Sequence, residues 1–277
     1  MNATFTTNDG VRLSYTDHGA GAPVVFVHSW QGNSLMWGPV AEQLPGYRRV
    51  LYDHRGHGAS EDPVAGWHLH RLAFDLHELL DHLTLDDVTL IGHSMGCSVI
   101  WAYLELFGPA RVHKLAFVDQ TPLMIHEAGA DEDSPARRVS AMSEEQVSGI
   151  VQGIANPATR EHMLPEFVSG LFHPDFPEDR KREVIPGALR VDGAFSSALF
   201  NDFAHQDWRR QVLQIKQPTL VIAGGASLVP LAGQQWVAAQ VPGARLEVVD
   251  GADGGSHMLV LEADKRVAGL LATFLED

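Results

Sequence analysis

Gly92-His93-Ser94-Met95-Gly96 places a serine between two glycines immediately after the apolar run Val88-Thr89-Leu90-Ile91. A strand that ends in G-x-S-x-G and passes straight into a helix makes a sharp turn with the serine at its tip, and glycine is needed where a β-carbon would clash. Such a turn presents a nucleophile. The five positions alone are loosely constrained, but a β-rich run precedes them and an apolar helical stretch, 97–104, follows. A serine hydroxyl is a weak nucleophile at neutral pH and needs a base within hydrogen-bond reach, so acyl transfer is the chemistry to look for.

Elements able to hold such a turn alternate along the chain. Residues 3–7 and 11–17 flank Asn8-Asp9-Gly10 and predict an opening hairpin. Short runs at 23–28, 48–53, 87–91, 112–118, 218–223 and 244–249 are rich in β-branched residues and apolar nearly throughout, as strands covered on both faces are. Helical stretches separate them, most clearly 69–83, where Leu72, Leu76, Leu79, Leu80 and Leu83 fall on one face. The repeated pattern predicts an α/β fold with a doubly wound, mostly parallel sheet. One interval departs from it. Residues 124–209 carry Pro135, Pro157, Pro165, Pro174, Pro177 and Pro186, helix-like pieces such as 143–153 and no convincing strand. This interval reads as a helical cap inserted in a core of 1–123 and 210–277, lying over the carboxyl ends of the strands, where open α/β folds place ligands. Met163, Leu164, Phe167, Val168, Leu171 and Phe172 give it apolar surface to pack, which a loosely ordered linker lacks.

Composition narrows the partners. A chain of 277 residues with 45% hydrophobic and 20% charged residues can bury a sizeable core. No apolar run nears the roughly 20 residues needed to cross a bilayer. Residues 1–10 have neither a basic start nor an apolar stretch, so a cytoplasmic location is expected. The net charge of -15 argues against nucleic acid and membrane as partners and leaves a small-molecule substrate. Cys97 is the only cysteine, which excludes an intrachain disulfide; three residues after Ser94, it reads as a small buried hydrophobe. The 15 histidines include no HExxH or comparable pair, so no metal site is expected.

The elbow with its strand and helix, the late His257 and the stretch Asp53-His54-Arg55-Gly56-His57-Gly58-Ala59-Ser60 together resemble the α/β-hydrolase fold superfamily, whose members often carry D-x-R-G-x-G-x-S ahead of the elbow. The likeness runs over 10–275 outside the inserted interval. It implies that Ser94 is the nucleophile, and a serine there excludes the pattern of dehalogenases and epoxide hydrolases, which attack with aspartate. The family's histidine follows the last strand, and Gly254-Gly255-Ser256-His257 occupies that place before a final helix starting near Asp264, which makes His257 the base. His28, His54, His57 and His93 are its rivals. At the acid the chain departs from the commonest pattern: where many members carry G-x-x-D-x-x-x-P, it reads Gly224-Gly225-Ala226-Ser227-Leu228-Val229-Pro230. Asp119, after the preceding strand, stands where some branches carry the acid that holds the imidazole's tautomer and stabilises its cation. The alternative is that Asp119 caps the entry to the insert and Asp250 or Asp253 orients His257. On the first reading Asp119→Asn lowers kcat by orders of magnitude and Ser227→Ala matters little.

The resemblance also implies an oxyanion hole built from the backbone N–H of Met95 and that of Trp30, in the loop after the strand ending at His28. Trp30, His93, Phe167 and Phe172 are expected to line the substrate space. The implied reaction is hydrolysis of a carboxylic ester or lactone bearing a hydrophobic group, through an acyl-enzyme on Ser94 and without a cofactor. Cofactor-free haloperoxidases use the same triad to form a peracid. The ring-cleaving cofactor-free dioxygenase branch shares the early acid, but has a different signature from Met95, Ser98 and His257-Met258-Leu259. A ligand-sensing protein on this scaffold would keep the triad with slow or absent turnover.

Overall fold

A computed structural model describes residues 2–126 and 135–277; Met1 and 127–134, the latter inside the expected insert, lie outside the described residues. The apolar runs become strands: β1 (Ala3–Thr6), β2 (Arg12–His18), β3 (Pro23–Val27), β4 (Arg48–Tyr52), β5 (Val88–His93), β6 (Val112–Val118), β7 (Leu123–Ile125), β8 (Ser140–Met142), β9 (Thr219–Gly224) and β10 (Arg245–Val249). Eight of them form one sheet in the order β1-β2-β4-β3-β5-β6-β9-β10. The β1–β2 and β2–β4 pairs are antiparallel, and every pair from β4 to β10 is parallel. Every residue of β5 and β9 is buried, which is why these strands read as continuous apolar runs rather than alternating ones.

Helices cover the sheet: α1 (Gly38–Glu42), α2 (Leu69–His82), α3 (Met95–Phe107), α4 (Pro135–Arg138), α5 (Glu144–Ala155), α6 (Pro157–Gly170), α7 (Glu178–Arg190), α8 (Gly193–Ala204), α9 (Arg209–Val212), α10 (Leu231–Gln240), α11 (Leu259–Glu262) and α12 (Asp264–Glu276). The leucine stripe of α2 is buried against α3, and the His68 imidazole caps its first turn by accepting from the Arg71 N–H. Among the described residues no helix is long and apolar enough to cross a membrane.

Between β6 and β9 lie α4 to α9, with α5 packed on α6 and α8, and α6 on α7. Ser143 and Gln146 form a reciprocal capping box at the start of α5. This interval is not free of strand: β7 and β8 make a separate two-stranded parallel ladder, pairing Leu123 with Ser140 and Ile125 with Met142. Three-residue strands are too short for a period to emerge from sequence.

Candidate active site

Ser94 sits between the last residue of β5 and the first of α3, with φ 53° and ψ −124°, a backbone conformation that costs on the order of 1–3 kcal/mol for a residue with a β-carbon. Its N–H is tied to the Val118 carbonyl at 2.9 Å. The flanking glycines are required by close approach. A β-carbon on Gly92 would stand 2.6 Å from the Cys97 nitrogen, and one on Gly96 would stand 2.2 Å from the Val27 oxygen. Cys97 is buried, its thiol donates to the Gly92 carbonyl at 3.1 Å, and burial pushes its pKa up, so it is not a competing nucleophile.

His257 reaches this serine from the loop after β10. Its Nε2 lies 3.1 Å from Ser94 Oγ, and its Nδ1 lies 2.7 Å from Asp119 Oδ2. A carboxylate only accepts, so Nδ1 carries the hydrogen and Nε2 is left to accept from the serine hydroxyl. Asp119 is fully buried, with φ 51°. Four donors converge on its two oxygens: the Gly224 N–H at 2.9 Å and Gln234 Nε2 at 2.8 Å on Oδ1, then Ser227 Oγ at 2.5 Å and His257 on Oδ2. Ser227, expected to have little bearing, is therefore bonded to the same oxygen as the imidazole. Asp250 instead caps its own turn by accepting from the Ala252 N–H, and Asp253 is exposed; neither is bonded to His257.

The rival histidines are occupied elsewhere. His28 Nδ1 donates to the Ser29 carbonyl at 2.8 Å while its Nε2 accepts the His54 N–H at 3.0 Å. His54 Nε2 donates back to the His28 carbonyl, and His57 Nδ1 donates to the Arg55 carbonyl. All three rings are buried, and desolvation holds them neutral, His57 down to about 3. Asp53 bridges the same loops, accepting from the Ser34 and Ala59 N–H groups. A β-carbon on Gly58, where φ is 52°, would collide with that carboxylate. The motif from Asp53 to Ser60 thus knits the loop after β3 to the loop after β4.

Two residues expected at the substrate space stand off it. His93 is buried, and its Nε2 donates to the His257 carbonyl at 2.8 Å, so it holds the backbone that carries the imidazole. Burial, reinforced by the neighbouring His257, holds His93 down to about 3 and keeps a second positive charge out of the site. Phe172 is stacked on Phe176. Phe167 and Leu171, four apart and therefore on one helical face, line the cavity instead.

That cavity, about 40 Å³, opens directly on Ser94 and His257 and is walled by Trp30, Phe167, Leu171, Phe200, Phe203 and Leu228. It has room for a few waters rather than for a drug-sized ligand. Trp30 is fixed by its indole N–H on the Ser196 carbonyl at 3.2 Å and by the Phe200 ring, 4.6 Å between centroids. It lies in a turn closed by the Gly32 N–H on the Ser29 carbonyl, with Gln31 at φ 59°. Met95 opens α3, so its N–H is among the first-turn amides that have no intrahelical acceptor. Gln120, Met124, Met142, Phe200 and Phe203 also line the cavity and were not anticipated. Of these only Phe200 and Phe203, three apart in an apolar helix, carried a readable signal. Among the described residues no group of three His, Cys, Asp or Glu side chains could hold a metal ion.

A family model of the alpha/beta hydrolase fold matches residues 22–264, and the chain belongs to that family. It is an enzyme of the family's small-molecule type. It is similar to a non-heme chloroperoxidase of Kitasatospora aureofaciens, 27% identical over 94% of each chain. It is also similar to a 3-oxoadipate enol-lactonase of Acinetobacter baylyi, 31% identical over 89% of this chain and 88% of the other. A bromoperoxidase from Bacillus anthracis superimposes over the whole of both chains with a TM-score of 0.90 at 27% identity.

Proposed function

We propose that the protein is a serine hydrolase that cleaves a carboxylic ester or lactone with a compact hydrophobic group, through an acyl-enzyme on Ser94. The observation that carries this reading is the unbroken chain from Ser94 Oγ through His257 to Asp119, at 3.1 and 2.7 Å. Ser94 attacks the carbonyl as Nε2 of His257 takes its proton, and Asp119 stabilises the resulting imidazolium without itself taking the proton. The oxyanion is held by the N–H groups of Met95 and Trp30, each donor being worth about 3 kcal/mol in the transition state. The imidazolium protonates the leaving alcohol, then activates the water that releases the acid. Residues 124–209 act as a cap that walls the cavity with Met142, Phe167, Leu171, Phe200 and Phe203 and keeps bulk water from the acyl-enzyme.

Two similarities, to the chloroperoxidase and to the bromoperoxidase, favour a second reading, in which hydrogen peroxide replaces water at the acyl-enzyme and a peracid leaves. Both readings are tested with p-nitrophenyl esters of graded acyl length and a fluorophosphonate probe, on wild type and Ser94→Ala. A burst and probe labelling that vanish together in the variant support the hydrolase. Labelling with no turnover of any ester points to a sensor, and peroxide-dependent bromination in acetate that exceeds hydrolysis points to the perhydrolase.

A further inference from the structure

The cavity over Ser94 is apolar apart from Ser29, Gln120 and the reacting side chains Ser94 and His257. Gln120 is 2% exposed, and its amide nitrogen makes one long contact, 3.4 Å, to Ser98 Oγ. Its amide oxygen is buried without a hydrogen-bond partner. Exchanging the amide's oxygen and nitrogen does not remove the anomaly, because Ser98 satisfies one end in either setting and the other end stays unpaired. A buried polar atom left unpaired is costly, and among the described residues with such an atom Gln120 is the one that lines this cavity.

Its position is informative. Gln120 follows Asp119 directly, and Ser98 stands four residues beyond Ser94 on α3. Gln120 and Ser94 line the same small cavity. Apart from Ser98 the Gln120 amide has no hydrogen-bond partner in the protein, so a polar group on a substrate filling so small a cavity is the partner left to it. No Asp, Glu, Lys or Arg lines the cavity, so a charged group entering it would be uncompensated.

We infer that Gln120 orients the substrate, and that the preferred substrate carries a neutral hydrogen-bonding group, a hydroxyl or an amide, close enough to its reacting carbonyl for both to lie in this cavity. This rests on Ser94 being the nucleophile. A hydroxyl suits either setting of the amide, since it both donates and accepts.

Two matched pairs of esters test it, each exchanging a hydroxyl for a methyl group: p-nitrophenyl 3-hydroxybutanoate against p-nitrophenyl 3-methylbutanoate on the acyl side, and 3-hydroxybutyl acetate against 3-methylbutyl acetate on the alcohol side. Wild type is expected to favour the hydroxyl member of at least one pair by about tenfold or more in kcat/KM. Gln120→Met, which fills similar volume without a polar head, is expected to bring that ratio to about two or below. A merely structural role for Gln120 would slow both members of a pair alike and leave the ratio where it was. Wild type with no preference in either pair overturns the inference, whether or not the variant folds. A preference that survives in Gln120→Met overturns it as well. Absence of both turnover and fluorophosphonate labelling fails the nucleophile reading itself, which separates that failure from one confined to Gln120.

Discussion

Replacing Asp119 by Asn exchanges one acceptor oxygen for an amine at a carboxylate surrounded entirely by donors. Two settings of the new amide are available. With its NH₂ toward His257 and Ser227, it meets two donors, and the imidazole can answer only by accepting at Nδ1. The ring proton then sits on Nε2, facing Ser94, and the base is blocked. With its oxygen toward His257 the tautomer survives, and Gln234, whose own amide oxygen has no partner, can turn to meet the NH₂. The Gly224 N–H is then left unpaired, at a cost of about 1–3 kcal/mol in stability. In either setting the negative charge opposite the imidazolium is gone. The expected loss in kcat is 10³–10⁴-fold, or about 4–5.5 kcal/mol of barrier. For a chain of this size the stability cost lowers Tm by no more than roughly 10 °C, so the variant stays folded at 25 °C. The assay is steady-state hydrolysis of p-nitrophenyl butyrate with a thermal melt on the same preparation. A folded variant that keeps kcat within tenfold of wild type would refute the assignment and return the acid to Asp250 or Asp253.

Ser227→Ala removes a 2.5 Å hydrogen bond to the same carboxylate oxygen and the acceptor of the Val229 N–H; since Asp119 keeps three donors, kcat is expected to fall about 3- to 30-fold with KM little changed, and Ser227→Thr to restore it. An unchanged kcat would mean that the serine does not position the acid. Stability should depend steeply on acidity. His54, His57 and His93 have folded pKa values below the unfolded value, so their stability is present above about pH 6.5 and is lost as pH falls, for His57 and His93 toward about 3. Three protons taken up by these rings on unfolding correspond to about 4 kcal/mol per pH unit, to which His28, also lowered by burial, adds and of which Asp75, its carboxyl raised by burial, offsets at most one proton. Urea unfolding at pH 6 and pH 5 should therefore differ by roughly 3–4 kcal/mol, and a difference below about 1 kcal/mol would show that these rings are free to protonate in the folded state.

Much of the frame was legible because each element had a local cause. Strands β3, β5 and β9 are buried on both faces and so leave largely apolar runs, β6 does so after His113 and Lys114, and the elbow needs glycine at two fixed places. What lines the cavity was harder to read. Adjacent residues on a helix point about 100° apart, so choosing Phe172 over Leu171 depends on where α6 ends, which no residue type announces. His93 misled for a related reason. It touches the nucleophile in sequence, yet the turn that exposes Ser94 sends the preceding side chain inward, to the His257 carbonyl. Gln120 carried no signal at all, since one amide next to an acid is unremarkable until its surroundings prove apolar.

The acid marks the limit most clearly. Sequence showed that position 227 lacks a carboxylate and that Asp119 was available, but not why the exchange is tolerated. Strands β6 and β9 are parallel neighbours, with Val118 opposite Ile222, so their carboxyl ends emerge side by side. The Asp119 N–H continues that ladder to the Ile222 carbonyl, and its left-handed backbone, φ 51°, turns the side chain toward the loop after β9. There its carboxylate meets Gly224 and Ser227. A carboxylate borne by either strand end can thus lie opposite the same imidazole nitrogen, and the position that gives up the charge can serve as its donor. On the proposed mechanism two adjacent strand ends form one electrostatic unit, in which a negative charge at the imidazole is required while its point of attachment to the chain is not.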